Sequence, residues 1–136
     1  MNWYDCKMKG LVKEIQIDEE LIKSLIEQSE KKLITSKFLP LNKDTASTKF
    51  SVVYDSLREI LEAIAVKKGF KIYNHDCFFG FLKEILKLEK ESFDFDNLRK
   101  IRNSINYYGK DLSIENAKQL IGEIKKLRIE LIKKHL

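Results

Sequence analysis

Apolar residues recur along this chain at steps of three and four, the spacing of an amphipathic helix. The clearest run is Phe50, Val53, Tyr54, Leu57, Ile60, Leu61, Ile64 and Ala65, one continuous stripe on a long helix. Before it, Asp18 is placed to cap a helix carrying Leu21, Ile22, Leu25, Ile26, Leu33 and Ile34. That helix must end before Pro40, because the residue preceding a proline avoids the helical region. Gly69 stands where a left-handed residue would close the Phe50–Ala65 helix.

Asn74 is a candidate cap for a further helix with Phe78, Leu82 and Ile85. Another starts near Asp94 and Asp96, two acids that suit a positive helix start, and runs through Leu98, Ile101, Ile105 and Tyr108 to Gly109. Ser113 caps the last, with Ala117, Leu120, Ile121, Ile124, Leu127 and Leu131 in one stripe. A short first helix is expected over about Asn2–Glu14. No stretch alternates with period two. The pattern predicts an all-α protein, an up-and-down helical bundle of four to five main helices plus a short N-terminal helix, in one domain over 1–136.

Composition supports this. The 136 residues include one Pro and five Gly, and 43% are hydrophobic, which suits a packed helical core and argues against disorder. No apolar run approaches the roughly 18 residues that a membrane span needs. The first residues lack the basic-then-apolar layout of a signal peptide. Cys6 and Cys77 form no metal-ligand spacing and are expected to be reduced thiols in a cytoplasmic protein.

Charge changes the picture. Of the net +5, residues Leu98–Leu136 carry ten Lys/Arg against four Asp/Glu, and the first 97 residues are close to neutral. Such a face is either solvated surface or the footprint of an anionic partner.

The fifth helix holds the residue that does not fit the core. Arg102 follows Leu98 by four and precedes Ile105 by three, so it points at the apolar stripe or its rim. An unpaired guanidinium there would cost several kcal/mol, about 3–5 by the behaviour of broken buried pairs. Either a carboxylate such as Asp55, Glu59 or Glu62 pairs it, or it meets a ligand. Arg99, Asn103 and Asn106 share its flank and Tyr107 and Tyr108 close the helix, an arrangement suited to phosphate recognition.

The run Arg102-Asn103-Ser104-Ile105-Asn106-Tyr107-Tyr108-Gly109 resembles the Arg-Asn-x-x-x-His stretch of HEPN domains. Tyr54-Asp55-Ser56-Leu57-Arg58-Glu59 with Glu62-Ala63 resembles that family's long second bundle helix. Lys68-Gly69-Phe70-Lys71 and then Asn74-His75-Asp76 resemble its turn into the next helix. The resemblance covers roughly residues 18–134. It implies a helical bundle that pairs as a homodimer with both motifs in one cleft. It also implies RNA, a nucleotide or a minimal nucleotidyltransferase as partner, in some members as a toxin with metal-independent ribonuclease activity.

Tyr107 stands where the motif has its His. Histidine titrates near 6.5 and tyrosine near 10, so a tyrosine at its reference value is ionised about one part in 10³ at pH 7. That makes it a poor proton-transfer partner for 2′-hydroxyl attack. The resemblance therefore implies a binding module with Arg102, Asn103, Asn106, Tyr107 and Arg99 at the ligand. The alternative is a ribonuclease using Arg102 with His75 or Tyr107. No glycine-rich phosphate loop, cofactor motif or metal-ligand set occurs in the sequence.

Overall fold

The computed structural model describes all 136 residues. The elements are α1 (Trp3–Met8), β1 (Val12–Glu14), α2 (Glu19–Lys37), α3 (Ala46–Lys67), β2 (Phe70–Ile72), α4 (Cys77–Gly80), α5 (Glu89–Tyr108) and α6 (Ile114–His135). A π-helical segment, Phe81–Ile85, continues α4. The protein is predominantly all-α, as its periodicity predicts. No helix is long and apolar enough to cross a membrane.

Local chemistry sets most boundaries. Asp18 accepts the Leu21 N–H at 3.0 Å and Ser113 accepts the Asn116 N–H at 3.1 Å, each satisfying an orphan donor of a first turn. α2 stops at Lys37, before Pro40. Gly109 ends α5 in the left-handed region at φ 63°.

Three boundaries differ from expectation. The first helix ends at Met8, and Val12–Glu14 pairs antiparallel with Phe70–Ile72 as a two-stranded ribbon. Three-residue strands are too short to show alternation, and they form because Gly69, at φ +88°, turns the chain back beside β1. α5 begins at Glu89, before Asp94. Its early turns are polar on the solvent side but bury Ser92 and Phe95. The Asn74 carboxamide accepts the Asp76 N–H at 2.9 Å, closing a turn just ahead of α4 rather than capping it.

α3 is the central element, with thirteen buried residues, and packs against α2 on one side and α6 on another. Phe50, Tyr54, Phe78, Phe81 and Phe95 are fully buried. Tyr54 stacks on Phe95 at 5.5 Å, and Phe78 meets Phe95 edge-on at 5.6 Å. These contacts tie α3, α4 and α5 into one wall. On the other side of α3, polar groups pin the helices in register. Ser29 donates to the Ser56 carbonyl at 2.6 Å. Buried Arg128 on α6 donates to Ser29 at 3.0 Å and to Glu30 at 2.7 Å. Glu59 is buried and paired with Lys32.

The cysteines also correct expectation: Cys6 and Cys77 form a disulfide, both fully buried, closing a sequence separation of 71. Packing explains the pairing. Gly80 lets the backbone of α1 lie against α4, because a Cβ there would sit 2.6 Å from the Trp3 nitrogen. The Trp3 ring then wedges between Phe70 at 5.1 Å and Phe81 at 5.7 Å, and the Trp3 backbone N–H donates to the Glu84 carboxylate at 2.7 Å.

Candidate functional site

The three arginines of α3 and α5 that lie nearest the core converge on one spot beside α4. Arg58 comes from the middle of α3; Arg99 and Arg102 come from successive turns of α5. His75 and Asp76 arrive from the turn that precedes Cys77. None of the three arginine side chains exceeds 23% exposure, so the charges lie in a half-buried recess.

Each guanidinium has a carboxylate nearby. Arg58 donates to Glu62 at 2.7 Å and lies 3.7 Å from Asp55. Arg99 pairs with Asp76 and, at 3.0 Å, with Asp96. Arg102 has Asp55 alone, at 3.2 Å, and sits over the Tyr54 ring at 5.3 Å. Of the three candidate partners, then, Asp55 pairs with Arg102, while Glu62 serves Arg58 and Glu59 serves Lys32. A cation over an aromatic face gains up to about 2 kcal/mol when desolvated, which helps hold Arg102 in the recess.

The recess is incompletely satisfied. Five buried side-chain polar atoms in the chain lack a hydrogen-bond partner, and four of them are here: Tyr54 Oη, Asp55 Oδ1, Arg58 Nε and Arg102 Nε. Asp55 Oδ1 is within ion-pair reach of two guanidiniums without meeting either in hydrogen-bond geometry. Buried polar groups are normally paired, so these four atoms are the ones in the recess still free to take a hydrogen bond.

Electrostatics follow from this geometry. Burial, reinforced by the charges of Arg58, Arg102 and Arg99, lowers the His75 pKa to about 4. The imidazole is therefore neutral at pH 7 and can accept a proton or a hydrogen bond. Burial also raises the Tyr54 hydroxyl above its ordinary value, and the same arginines only partly offset that. Tyr54 stays a neutral donor throughout the physiological range.

The other candidates lie around this recess. From Arg102, a five-residue step turns a helical side chain by about 140°, and a four-residue step by about 40°. Asn106 therefore continues the Arg102 face past the packed region, whereas Tyr107 swings away and is 75% exposed. Asn103 is half-buried beside Arg102. Arg99 and His75 join Arg102 at the recess; Asn103, Asn106 and Tyr107 extend from it toward the free end of α5. Tyr54, Arg58 and Asp55 belong to the recess too. Asp55 is one of the carboxylates expected to pair with Arg102, whereas Tyr54 and Arg58 are expected only as part of a helix motif and not at the site. Their signal is present in hindsight: residues 54, 55, 58 and 62 form a polar-aromatic stripe at helical spacing within an otherwise apolar helix.

No group of His, Cys, Asp and Glu side chains is arranged to hold a metal ion. The donors present are guanidinium, imidazole, phenol and carboxamide, a set suited to a phosphate or carboxylate group. Comparison with family models, with characterised proteins and with solved structures returned no match to this chain.

Proposed function

We infer that this chain is a HEPN-like helical module that binds a phosphate-bearing ligand, RNA or a nucleotide, at the Arg58–Arg99–Arg102 recess without cleaving it. The observation that carries the reading is the half-buried recess itself. It brings together three guanidiniums, a neutral imidazole and four buried polar atoms without a hydrogen bond at the α5 segment that resembles the family motif. Arg102 is the guanidinium best placed to meet a ligand, because it has one carboxylate partner where Arg58 and Arg99 have two each. When Arg102 turns to a phosphate, Asp55 remains compensated by Arg58. Asn106, exposed on the same face of α5, then continues the open rim. Pairing of two copies, as the resemblance implies, would set two such recesses in one cleft.

Catalysis fits less well. Tyr107 points away from the recess. His75 is neutral, but a base with a pKa of about 4 drives proton abstraction weakly, since efficient general bases titrate near the working pH. The ribonuclease alternative retains one supporting observation, that the Arg102 charge acts on this neutral imidazole.

The test is fluorescence polarisation with a labelled single-stranded RNA, alongside a cleavage assay of the same RNA in EDTA. The parent is expected to bind and not to cut. Arg102→Ala should weaken binding about 10- to 100-fold, the loss of one charge-assisted contact of about 1.5–3 kcal/mol. Equal binding by parent and variant, or no binding by the parent, overturns the reading. Cleavage lost in both Arg102→Ala and His75→Gln selects the ribonuclease. Light scattering at micromolar concentration should give a dimer; a monomer removes the shared cleft.

A further inference from the structure

We propose a second, separate anion site at the opposite end of the bundle, where α3 and α6 finish together and Lys67, Lys68, Lys134 and His135 line a groove that takes a phosphate group. The groove has a volume of about 290 Å³, and Ile64 forms its floor. Four of its five lining residues are basic. None of the three lysines makes an ion pair within the chain, although ten other ion pairs do form.

Helix capping explains only part of this charge. Each helix C-terminus carries roughly −0.5 of an elementary charge, so two of them together offset about one lysine. Three are present. Positive charge therefore remains at the groove for an anion to meet.

His135 supplies an independent sign. Its Nε2 is buried without a hydrogen-bond partner. Burial, with the charges of Lys68, Lys134 and Lys67, lowers its pKa. With that nitrogen buried and three lysine charges around the ring, the imidazole is poorly placed to hold a proton until an anion joins them. A bound phosphate oxygen would accept from the lysines and, once the imidazole protonates, from His135 as well.

The site is distinct from the arginine recess. Lys68 lies ten residues beyond Arg58 on α3, about 15 Å along the axis, and about 80° away around the helix. The ligand chemistry is a phosphate group, either carried on a nucleic-acid backbone or as the free di- or triphosphate end of a nucleotide.

The chain contains two histidines, and each reports one site. Histidine side-chain NMR at pH 7, during titration with inorganic pyrophosphate, reads them separately. His135 resonances should shift saturably, with a rise in its pKa, and the shift should vanish in the variant Lys67→Gln/Lys68→Gln/Lys134→Gln. All three substitutions replace solvent-facing ammonium groups at helix ends and leave the core intact, which the unchanged amide spectrum should verify. A His135 signal that pyrophosphate does not move, or that moves equally in the variant, overturns the proposal. Movement of His75 alone supports the recess and refutes this groove. A short single-stranded RNA then separates the two sources. If the triple variant loses RNA affinity and its salt slope falls by about two, at ~0.7 per lost contact, the ligand is a backbone. If pyrophosphate binding is lost while RNA binding is unchanged, it is a free nucleotide.

Discussion

Breaking the Cys6–Cys77 bond gives the sharpest check on the fold. The bond closes a sequence separation of 71 between the six-residue α1 and the start of α4, just after the turn that carries His75. A cross-link of that span removes about 15 cal/mol/K of chain entropy from the unfolded state, or about 4.4 kcal/mol at 25 °C. A chain of 136 residues unfolds with an entropy of about 290 cal/mol/K near its midpoint, so the reduced protein should melt about 15 °C lower. Neither sulfur of the bond is accessible in the folded state. The protein should therefore be reduced in denaturant and refolded with reductant retained, with mass spectrometry verifying the gain of two hydrogens. Calorimetry then compares the oxidised and reduced forms. A midpoint difference below about 3 °C would refute the reasoning: it would mean that the unfolded chain already holds residues 6 and 77 close, or that the two cysteines are not bonded. Binding of phosphate at the arginine recess should survive reduction if Trp3 still anchors α1 between Phe70 and Phe81.

Gly80→Ala should destabilise the protein by about 1–3 kcal/mol, because its Cβ would press on the Trp3 backbone; the single tryptophan should shift its emission to the red as α1 lifts. His75 is neutral in the fold and protonates more readily when unfolded, so stability present above about pH 6.5 should be lost as pH falls toward 4. Discounted for its partial exposure, the contribution is about 1–2 kcal/mol, and the urea midpoint should fall less between pH 7 and 5 in His75→Gln than in the parent. Arg128→Ala should cost about 2–3 kcal/mol in urea denaturation through loss of the Ser29 and Glu30 bonds, and Arg128→Lys should recover less than half of it, since only a guanidinium spans both acceptors.

The elements were legible in the chain because their causes are local. Helical spacing, a cap three residues upstream and a left-handed glycine all act within one or two turns, so Asp18, Ser113, Gly109 and the Phe50–Ala65 stripe set boundaries that sequence alone reads. Arg102 was visible as an anomaly for the same reason: a charge at a core position is a local contradiction. Its partner was not visible. Asp55, Glu59 and Glu62 lie on one helix at spacings that could each meet α5, and only the packing angle of α3 against α5 selected Asp55 and turned Glu59 toward Lys32.

Everything that depends on chain closure was decided by tertiary structure. β1 and β2 are three residues each and exist only because Gly69 brings them together. The disulfide joins residues 71 apart because a glycine on α4 admits the backbone of α1. The excess positive charge of the last two helices is plain in the sequence. That Lys134 and His135 meet Lys67 and Lys68, while Arg99 and Arg102 meet Arg58, follows from where the helices end and cross. Periodicity determines which residues face inward; the packing of helix on helix determines which of them meet.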